Sequence, residues 1–218
     1  MGEVEKWTTL RECMVTDQLI RRGIANGQVL AAMQKVPREQ FIPEAIRQRA
    51  YEDAALPIEC NQTISQPLMV ALMSEALSLV GDERVLEVGT GSGYQTAVLA
   101  ELIGPQGVIW SIERHASLSH SASKTLDSLG YTEVHFQVGD GSLGLSEQAP
   151  YDAILIAAAA PRCPPALWEQ LRTGGRIAIP LGPVGHQELV VLEKGEDGEP
   201  RSTVSVPCRF VPLLGNGL

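Results

Sequence analysis

From residue 84 onward, short apolar runs alternate with longer segments in which apolar residues recur every three or four positions. The short runs predict buried strands, and the periodic segments predict helices. Strands separated by helices are typical of right-handed crossovers that build a parallel sheet. The predicted strands are 84–88, 108–112, 134–138, 152–158 and 176–180, and the predicted helices are 94–103, 116–129 and 164–171.

The N-terminal part of the chain has a helical pattern without strands. Residues 15–36 have mostly helical spacing, which Gly23 and Gly27 interrupt, so we predict two short helices that end before Pro37. A turn and a further helical piece follow over residues 41–50. Residues 51–67 have no sustained period and are rich in hydrogen-bonding side chains, so they predict a loop of the kind that carries function. The apolar face of residues 68–79 predicts a helix.

The C-terminal part predicts an antiparallel addition. Residues 189–193 and 204–211 flank the polar stretch GEDGEPRS, which predicts a hairpin that completes the sheet. We therefore expect one domain in two parts. Residues 1–80 supply N-terminal helices and an active-site loop, and residues 81–218 supply an α/β core with C-terminal strands.

Composition excludes several classes of partner. The net charge is −9, from 17 basic and 26 acidic side chains, which argues against nucleic-acid binding because such binding needs cations that replace counterions. The four cysteines are scattered and fit neither a zinc site nor a disulfide framework, so we expect no metal. The first residues lack the apolar segment of a signal peptide, and no apolar run is long enough to span a membrane. We expect a cytoplasmic monomer without a membrane partner.

A glycine-rich turn, VLEVGTGSGY at 85–94, follows the first strand of the alternating region. Gly89, Gly91 and Gly93 allow the backbone to turn sharply and to approach a ligand. The third glycine comes one residue too early for the G-x-G-x-x-G turn of dinucleotide-binding proteins, and the Lys-Ser/Thr pair of a phosphate-binding loop is missing. The spacing E-x-G-x-G-x-G instead resembles the first motif of class I methyltransferases, whose cofactor, S-adenosylmethionine, has no phosphates.

Two acidic residues follow at the ends of the next two strands. The distance of Glu113 from the glycines fits the acid that accepts hydrogen bonds from both ribose hydroxyls in nucleotide-binding folds. Asp140, in VGDG, lies where the adenine would be bound. Ligands of open α/β sheets bind at the carboxyl ends of the strands, where the glycines and both acids are predicted to lie. The pattern therefore predicts a site for S-adenosylmethionine.

Further motifs make the resemblance specific. They are AYEDAALPI, QTISQP, VGDG, APYDAILIAAAAP, LRTGGRIAIPLG and RFVPL, spread from about residue 14 to residue 214. Together with the glycine turn they are similar to the protein-L-isoaspartate O-methyltransferase family. QTISQP discriminates best, because generic methyltransferases have no counterpart to it.

The resemblance implies a fold, a reaction and a set of site residues. The fold is a doubly wound, mostly parallel, Rossmann-like sheet with N-terminal helices and an antiparallel C-terminal addition. The reaction transfers a methyl group from S-adenosylmethionine to the free carboxylate of isoaspartyl residues in damaged proteins or peptides. Ser65 is the implied active-site serine. The implied cofactor residues are Thr63, Ile64, Gln66, Glu87, Gly89, Gly91, Gly93, Glu113, Arg114, Asp140 and Gly141, and the implied substrate residues are Ala158, Ala159, Ala160, Val211, Pro212 and Leu213.

The loop departs from the family pattern just before the serine. Members of the family have Gly-x-Gly before Gln-Thr-Ile-Ser, whereas this chain has Glu59-Cys60-Asn61. Asn61 tolerates left-handed backbone angles, whereas Glu59 would be strained if its φ were positive. Two alternatives stay open: a carboxyl methyltransferase that acts on a normal aspartate of a modified peptide, and a noncatalytic nucleotide-binding module on the same fold.

Overall fold

The computed structural model describes residues 2–218, apart from the side chains of residues 203–205. The strands are β1 (Leu56–Pro57), β2 (Thr63–Ile64), β3 (Arg84–Val88), β4 (Val108–Glu113), β5 (Val134–Val138), β6 (Tyr151–Ile156), β7 (Leu171–Leu181), β8 (Gln187–Lys194) and β9 (Pro200–Cys208). The α-helices are α1 (Glu3–Cys13), α2 (Gly27–Lys35), α3 (Pro67–Leu77), α4 (Tyr94–Ile103), α5 (Ala116–Ser128) and α6 (Pro165–Gln170). A π-helix (Met14–Leu19) and several short 3₁₀ helices connect them, among them Arg38–Phe41, Glu44–Arg49 and Glu59–Asn61.

The central sheet has the order β5-β4-β3-β6-β7-β8-β9. Strands β3 to β7 run parallel to their neighbours, and β8 and β9 are added antiparallel. This arrangement confirms the predicted mostly parallel sheet with an antiparallel C-terminal hairpin. The chain leaves β3 toward β4 on one side and later returns to β6 on the other. Such a reversal opens a crevice at the carboxyl ends of the strands.

The core lies on both faces of the sheet. Adjacent strand residues point to opposite faces, so Val85 packs with the N-terminal helices and α4, while Leu86 packs with Ile154 and Ile177 on the other face. The N-terminal helices share one apolar cluster with the sheet, since Met33 of α2 is fully buried in the same cluster as Val85. The N-terminal layer therefore supports the sheet directly.

Some elements have the predicted bounds and others differ from them. Strands β3 and β5 and helix α4 match the prediction. Helix α1 lies outside the predicted helices because it is mostly polar and buries only Trp7, so it has no apolar stripe to reveal it. Strand β7 begins at Leu171 rather than at 176, since Leu171 pairs with Tyr151 ahead of a register shift.

Candidate active site

A cavity of about 390 Å³ opens at the carboxyl ends of the parallel strands. This volume lies within the roughly 300–1,000 Å³ that is usual for small-molecule sites. Three stretches of chain enclose it. We call residues 88–95 with 112–115 the strand-end wall, residues 58–66 the serine loop, and residues 207–214 the C-terminal segment.

The glycine turn of the strand-end wall needs its glycines for the backbone and for space. Gly89, Gly91 and Gly93 have φ values of 98°, 54° and 86°, in the left-handed region that side chains disfavour. A Cβ on Gly93 would lie 2.7 Å from Leu126 Cδ1 of α5. Gly89 and Gly91 face the cavity, whereas Gly93 lies behind them against α5. The third glycine therefore serves packing, and the first two form the surface for a ligand.

Glu113 ends β4 and lines the cavity. Its side chain is only 6% exposed, and each carboxylate oxygen accepts one backbone hydrogen bond: Oε2 from Gly91 N at 3.0 Å and Oε1 from His115 N at 2.9 Å. Each oxygen has a second acceptor position, so the group can still accept hydrogen bonds from two hydroxyls of a ligand. The carboxylate thus shapes the glycine turn and also offers the acceptors that a ribose requires.

Glu87 does not reach the cavity. It is fully buried beneath the glycine turn, where Oε2 accepts hydrogen bonds from Thr96 Oγ1 and Ser111 Oγ at 2.5 Å each. Burial raises the pKa of Glu87 to about 7, although the two hydroxyls oppose this shift. The structure therefore places this predicted cofactor residue as a support for the turn, without direct access to a ligand.

Asp140 also lies outside the cavity wall, although its neighbour Gly141 is part of it. Its Oδ1 accepts hydrogen bonds from Ser142 N and Oγ at 3.0 and 2.6 Å, and its Oδ2 accepts one from Asn216 N at 2.7 Å. These bonds lower the pKa of Asp140. The predicted adenine-binding acid is thus engaged in holding the end of the chain against the turn after β5.

The serine loop is built on the antiparallel pair of β1 and β2, where Leu56 pairs with Ile64. The left-handed angles that the sequence raises as a question at Glu59 occur instead at Cys60 and Asn61, with φ of 57° and 56°. Glu59 has no positive φ, is exposed and does not line the cavity. The expected strain therefore falls on Cys60, and the Glu59 carboxylate does not face the site.

The tip of the serine loop reaches across to the strand-end wall. Cys60 Sγ lies 3.4 Å from Ser117 Oγ in the first turn of α5. A Cβ on Gly91 would project toward Ile58 Cδ1, at 3.8 Å. The loop thus stands over the glycine turn with the cavity between them.

The C-terminal segment forms the third side and is held by main-chain bonds. Ala159 N donates to Val211 O at 2.8 Å, and Leu213 N donates to Ala159 O at 2.7 Å. Ala160 N donates to Pro180 O at 3.1 Å. Ala159 therefore anchors the segment from behind, whereas Ala160 bonds to the end of β7. Ala157 and Ala158 line the cavity.

Most of the predicted site residues meet at this one cavity. Those that line it are Thr63, Ile64, Ser65, Gln66, Gly89, Gly91, Glu113, Arg114, Gly141, Ala158, Val211, Pro212 and Leu213. Those that stand behind the lining are Glu87, Gly93, Asp140, Ala159 and Ala160. Of this second group, Ala159 bonds directly to Val211 and Leu213 of the lining. Glu87 bonds to Thr96 and Ser111, and Gly93 lies against α5.

Gln187 is a supporting residue that the sequence pattern does not reveal. It is buried, its Oε1 accepts from Phe210 N at 2.6 Å, and its Nε2 donates to Phe210 O at 3.2 Å. The side-chain amide thereby pairs with Phe210 as a neighbouring strand would, at the point where β9 has ended. Gln187 lies two residues before the predicted strand at 189–193, where no periodic signal indicates such a role.

Comparison with known proteins identifies the family of the chain. A family model described as protein-L-isoaspartate(D-aspartate) O-methyltransferase matches residues 11–217. The chain is 52% identical over 207 residues to protein-L-isoaspartate O-methyltransferase 2 of Marinobacter nauticus, an alignment that covers 94% of this chain and 93% of the relative. It is 50% identical over 205 residues to the protein of the same name from Geotalea uraniireducens, with the same coverage of both chains.

Solved structures resemble the fold over nearly the whole of this chain. A protein-L-isoaspartate O-methyltransferase superposes with a TM-score of 0.83 at 29% identity, covering 95% of this chain and 67% of that one. A Plasmodium falciparum β-aspartate methyltransferase, solved with S-adenosyl-L-homocysteine, superposes with a TM-score of 0.79 at 25% identity, covering 96% and 99% of the two chains. The similarity therefore includes the N-terminal layer and the C-terminal segment as well as the sheet.

Proposed function

This chain belongs to the protein-L-isoaspartate(D-aspartate) O-methyltransferase family, and from that premise we propose the part that each side of its cavity plays. It is an S-adenosylmethionine-dependent enzyme that methylates the free carboxylate of isoaspartyl residues. The observation that carries the proposal is that Ser65, Glu113 and Val211 line one cavity although they come from three distant parts of the chain.

The residues of the strand-end wall fit the cofactor. Gly89 and Gly91 present backbone without side chains, and the Glu113 carboxylate retains acceptor capacity for two hydroxyls. The adenine would lie beside Gly141, which is held in place by the turn that Asp140 caps. When bound, S-adenosylmethionine supplies an electrophilic methyl group, so the chain itself needs to provide binding and orientation.

Ser65 is proposed to orient the substrate carboxylate. The α-carboxyl of an isoaspartyl residue has a reference pKa of about 3.3–3.7, so it is ionised at neutral pH and needs no general base. A hydroxyl that donates one hydrogen bond to this carboxylate can hold its other oxygen toward the cofactor side. Placement within about 1 Å is worth roughly a hundredfold in rate, which is enough to make an orienting serine essential. Ser65 would be redundant as a nucleophile.

The C-terminal segment is proposed to recognise the peptide main chain. Ala158 and the stretch Val211–Leu213 face the cavity, and the main-chain bonds of Ala159 to Val211 and Leu213 hold this stretch in place. A groove of main-chain groups can distinguish an isoaspartyl residue, because its backbone is one carbon longer than that of aspartate. Damaged proteins and peptides are the proposed substrates, and their repair is the proposed role.

We also propose that residues 1–80 and 81–218 act as one domain, supported by the apolar cluster that they share. We propose a monomer in the cytoplasm without nucleic-acid or membrane partners, and the net charge of −9 supports the absence of a nucleic-acid partner. No helix of the described residues is long and apolar enough to cross a membrane.

Ser65→Ala tests the proposed role of the serine. We expect turnover of an isoaspartyl peptide to fall about a hundredfold while the affinity for S-adenosylhomocysteine changes less than about twofold. Ser128→Ala is the matched control, because Ser128 is exposed at the far end of α5 and bonds only to Thr125 O. Full activity of Ser65→Ala would remove the residue from the site, and a covalent adduct on Ser65 in mass spectra during turnover would overturn direct transfer.

A further inference from the structure

Among the described residues, Arg38 is the largest fully buried side chain, and it lies next to the active site without entering it. Its Nε donates to Ala50 O at 2.7 Å, and its Nη2 donates to Ser65 O at 2.9 Å. Its guanidinium carbon stands 4.8 Å from the centre of the Tyr94 ring. One side chain therefore joins the N-terminal layer, the serine loop and the start of α4.

A buried guanidinium without a counterion does not favour stability. In the described residues it forms no ion pair with a carboxylate, and its Nη1 has no hydrogen-bond partner. The neighbouring acid, Glu39, is bonded instead to Arg11 and Tyr51. Burial lowers the pKa of Arg38 to about 10, so the side chain is still charged at neutral pH. Burial of a charge without a counterion lowers stability, and apolar residues usually stabilise such a position as well or better.

The contacts of Arg38 point to a role in geometry. Of the side-chain hydrogen bonds in the described chain, only that of Arg38 reaches Ser65. Tyr94 is the first residue of α4, directly after Gly93, and it lines the cavity. The guanidinium plane thus sets the spacing between the serine loop and the turn that carries the cofactor residues. No other part of the serine loop has a buried side chain from the N-terminal layer bonded to it.

We propose that Arg38 is a positioning residue for methyl transfer, which fixes the Ser65 main chain relative to Tyr94 and so aims the serine hydroxyl. This inference rests on the proposed role of Ser65. Since Arg38 acts through Ser65, it should influence turnover only while the serine hydroxyl is present. A residue that only stabilised the fold would instead act independently of that hydroxyl.

A double-mutant cycle on the full-length enzyme tests the proposal. We expect Arg38→Met to lower kcat for an isoaspartyl peptide about a hundredfold, with little change in the affinity for S-adenosylhomocysteine. In the Ser65→Ala background, the same substitution should lower kcat by less than about twofold. Arg38→Lys keeps the charge but cannot bridge Ala50 and Ser65, so it should show the same dependence on Ser65 and serves if the methionine variant does not fold.

Arg11→Met is the matched control. Arg11 is also a partly buried arginine of the N-terminal layer, but it bonds to Tyr51, Glu39 and main-chain oxygens of α2, and none of its hydrogen bonds reaches the serine loop. Arg11→Met should lower stability, while kcat of the folded variant stays within about twofold of the wild-type value. Independent, multiplicative losses from Arg38 and Ser65 substitutions would overturn the inference. Full activity of Ser65→Ala alone would instead refute the proposed role of the serine.

Discussion

Two of the three sides of the cavity, the strand-end wall and the serine loop, are held in place by different means. The strand-end wall continues the most deeply buried strands of the sheet, and its sharp turns fall on glycines. The serine loop rests on a pair of two-residue strands, has left-handed angles at Cys60 and Asn61, and is tied down by Arg38 from outside. The wall proposed to bind the cofactor is thus an extension of the core, whereas the loop proposed to orient the substrate depends on a few specific contacts.

This difference predicts that substitutions in the strand-end wall change stability and cofactor affinity, and that substitutions at the serine loop change turnover. The glycine turn offers the largest effect on stability. A Cβ at Gly93 would meet Leu126 Cδ1 at 2.7 Å and Ala122 Cβ at 3.0 Å, at a φ of +86°. We expect Gly93→Ala to lower the free energy of unfolding by about 2–5 kcal/mol, from the left-handed backbone and the overpacking together.

Gly130 provides the control for Gly93. It has the same φ of +86°, but a Cβ there would have nothing within 4 Å. Gly130→Ala should therefore lower the free energy of unfolding only by the cost of the left-handed backbone, about 1–2 kcal/mol. Urea unfolding of both variants measures the difference, and equal losses would show that packing against α5 does not restrict Gly93.

Glu87 beneath the turn should make stability depend on pH. Its pKa is raised to about 7 in the folded protein, so the folded state holds the proton more tightly than the unfolded chain does. The contribution of this group to stability is then fully present below the unfolded pKa and is lost as pH rises through about 7. Glu87→Gln cannot titrate. Between about pH 5 and pH 8, wild type should lose about 2–3 kcal/mol relative to this variant in urea unfolding. A constant difference would mean that the carboxyl is ionised throughout.

Glu113 should affect binding of the cofactor. Glu113→Ala removes the acceptors for the ribose hydroxyls and should weaken binding of S-adenosylhomocysteine by about 1.5–3 kcal/mol, measured by calorimetry. Glu101→Ala is the control, because its carboxylate bonds to Lys35 and Tyr131 outside the cavity. If both variants bind as wild type does, Glu113 is only a strand-end acid that shapes the turn.

The sequence predicted the strand-end wall better than its surroundings, and the reason is physical. The turn after β3 is marked by local glycine spacing, and Glu113 follows from the length of one crossover. Arg38 and Gln187 bond to residues that are distant in the sequence, Ser65 and Phe210. Hydrophobic periodicity describes neighbouring residues only, so it cannot predict these contacts. Helix α1 is not predicted because it is mostly polar and buries only Trp7.

The resemblance to the family implies a set of site residues, but it does not distinguish residues that line the cavity from residues that lie behind the lining. Glu87 and Asp140 lie at the expected strand ends, yet both carboxylates are engaged by neighbouring groups of the protein. The sequence predicts backbone strain at Glu59 if its φ is positive. In the structure the positive φ values occur at Cys60 and Asn61 instead. Such details depend on hydrogen bonds that only the folded chain contains.

The most direct test of the account compares two peptides that differ only in one residue, isoaspartyl in one and aspartyl in the other. We propose that the groove lined by Ala158 and Val211–Leu213 recognises the register of the peptide main chain. A displacement of the substrate carboxylate by about 1 Å costs roughly a hundredfold in rate. We therefore expect methylation of the isoaspartyl peptide to be at least about a hundredfold faster, followed by loss of the ester and formation of a succinimide. Equal rates, or a preference for the normal aspartyl peptide, would contradict the account and assign a functional meaning to Glu59 and Asn61.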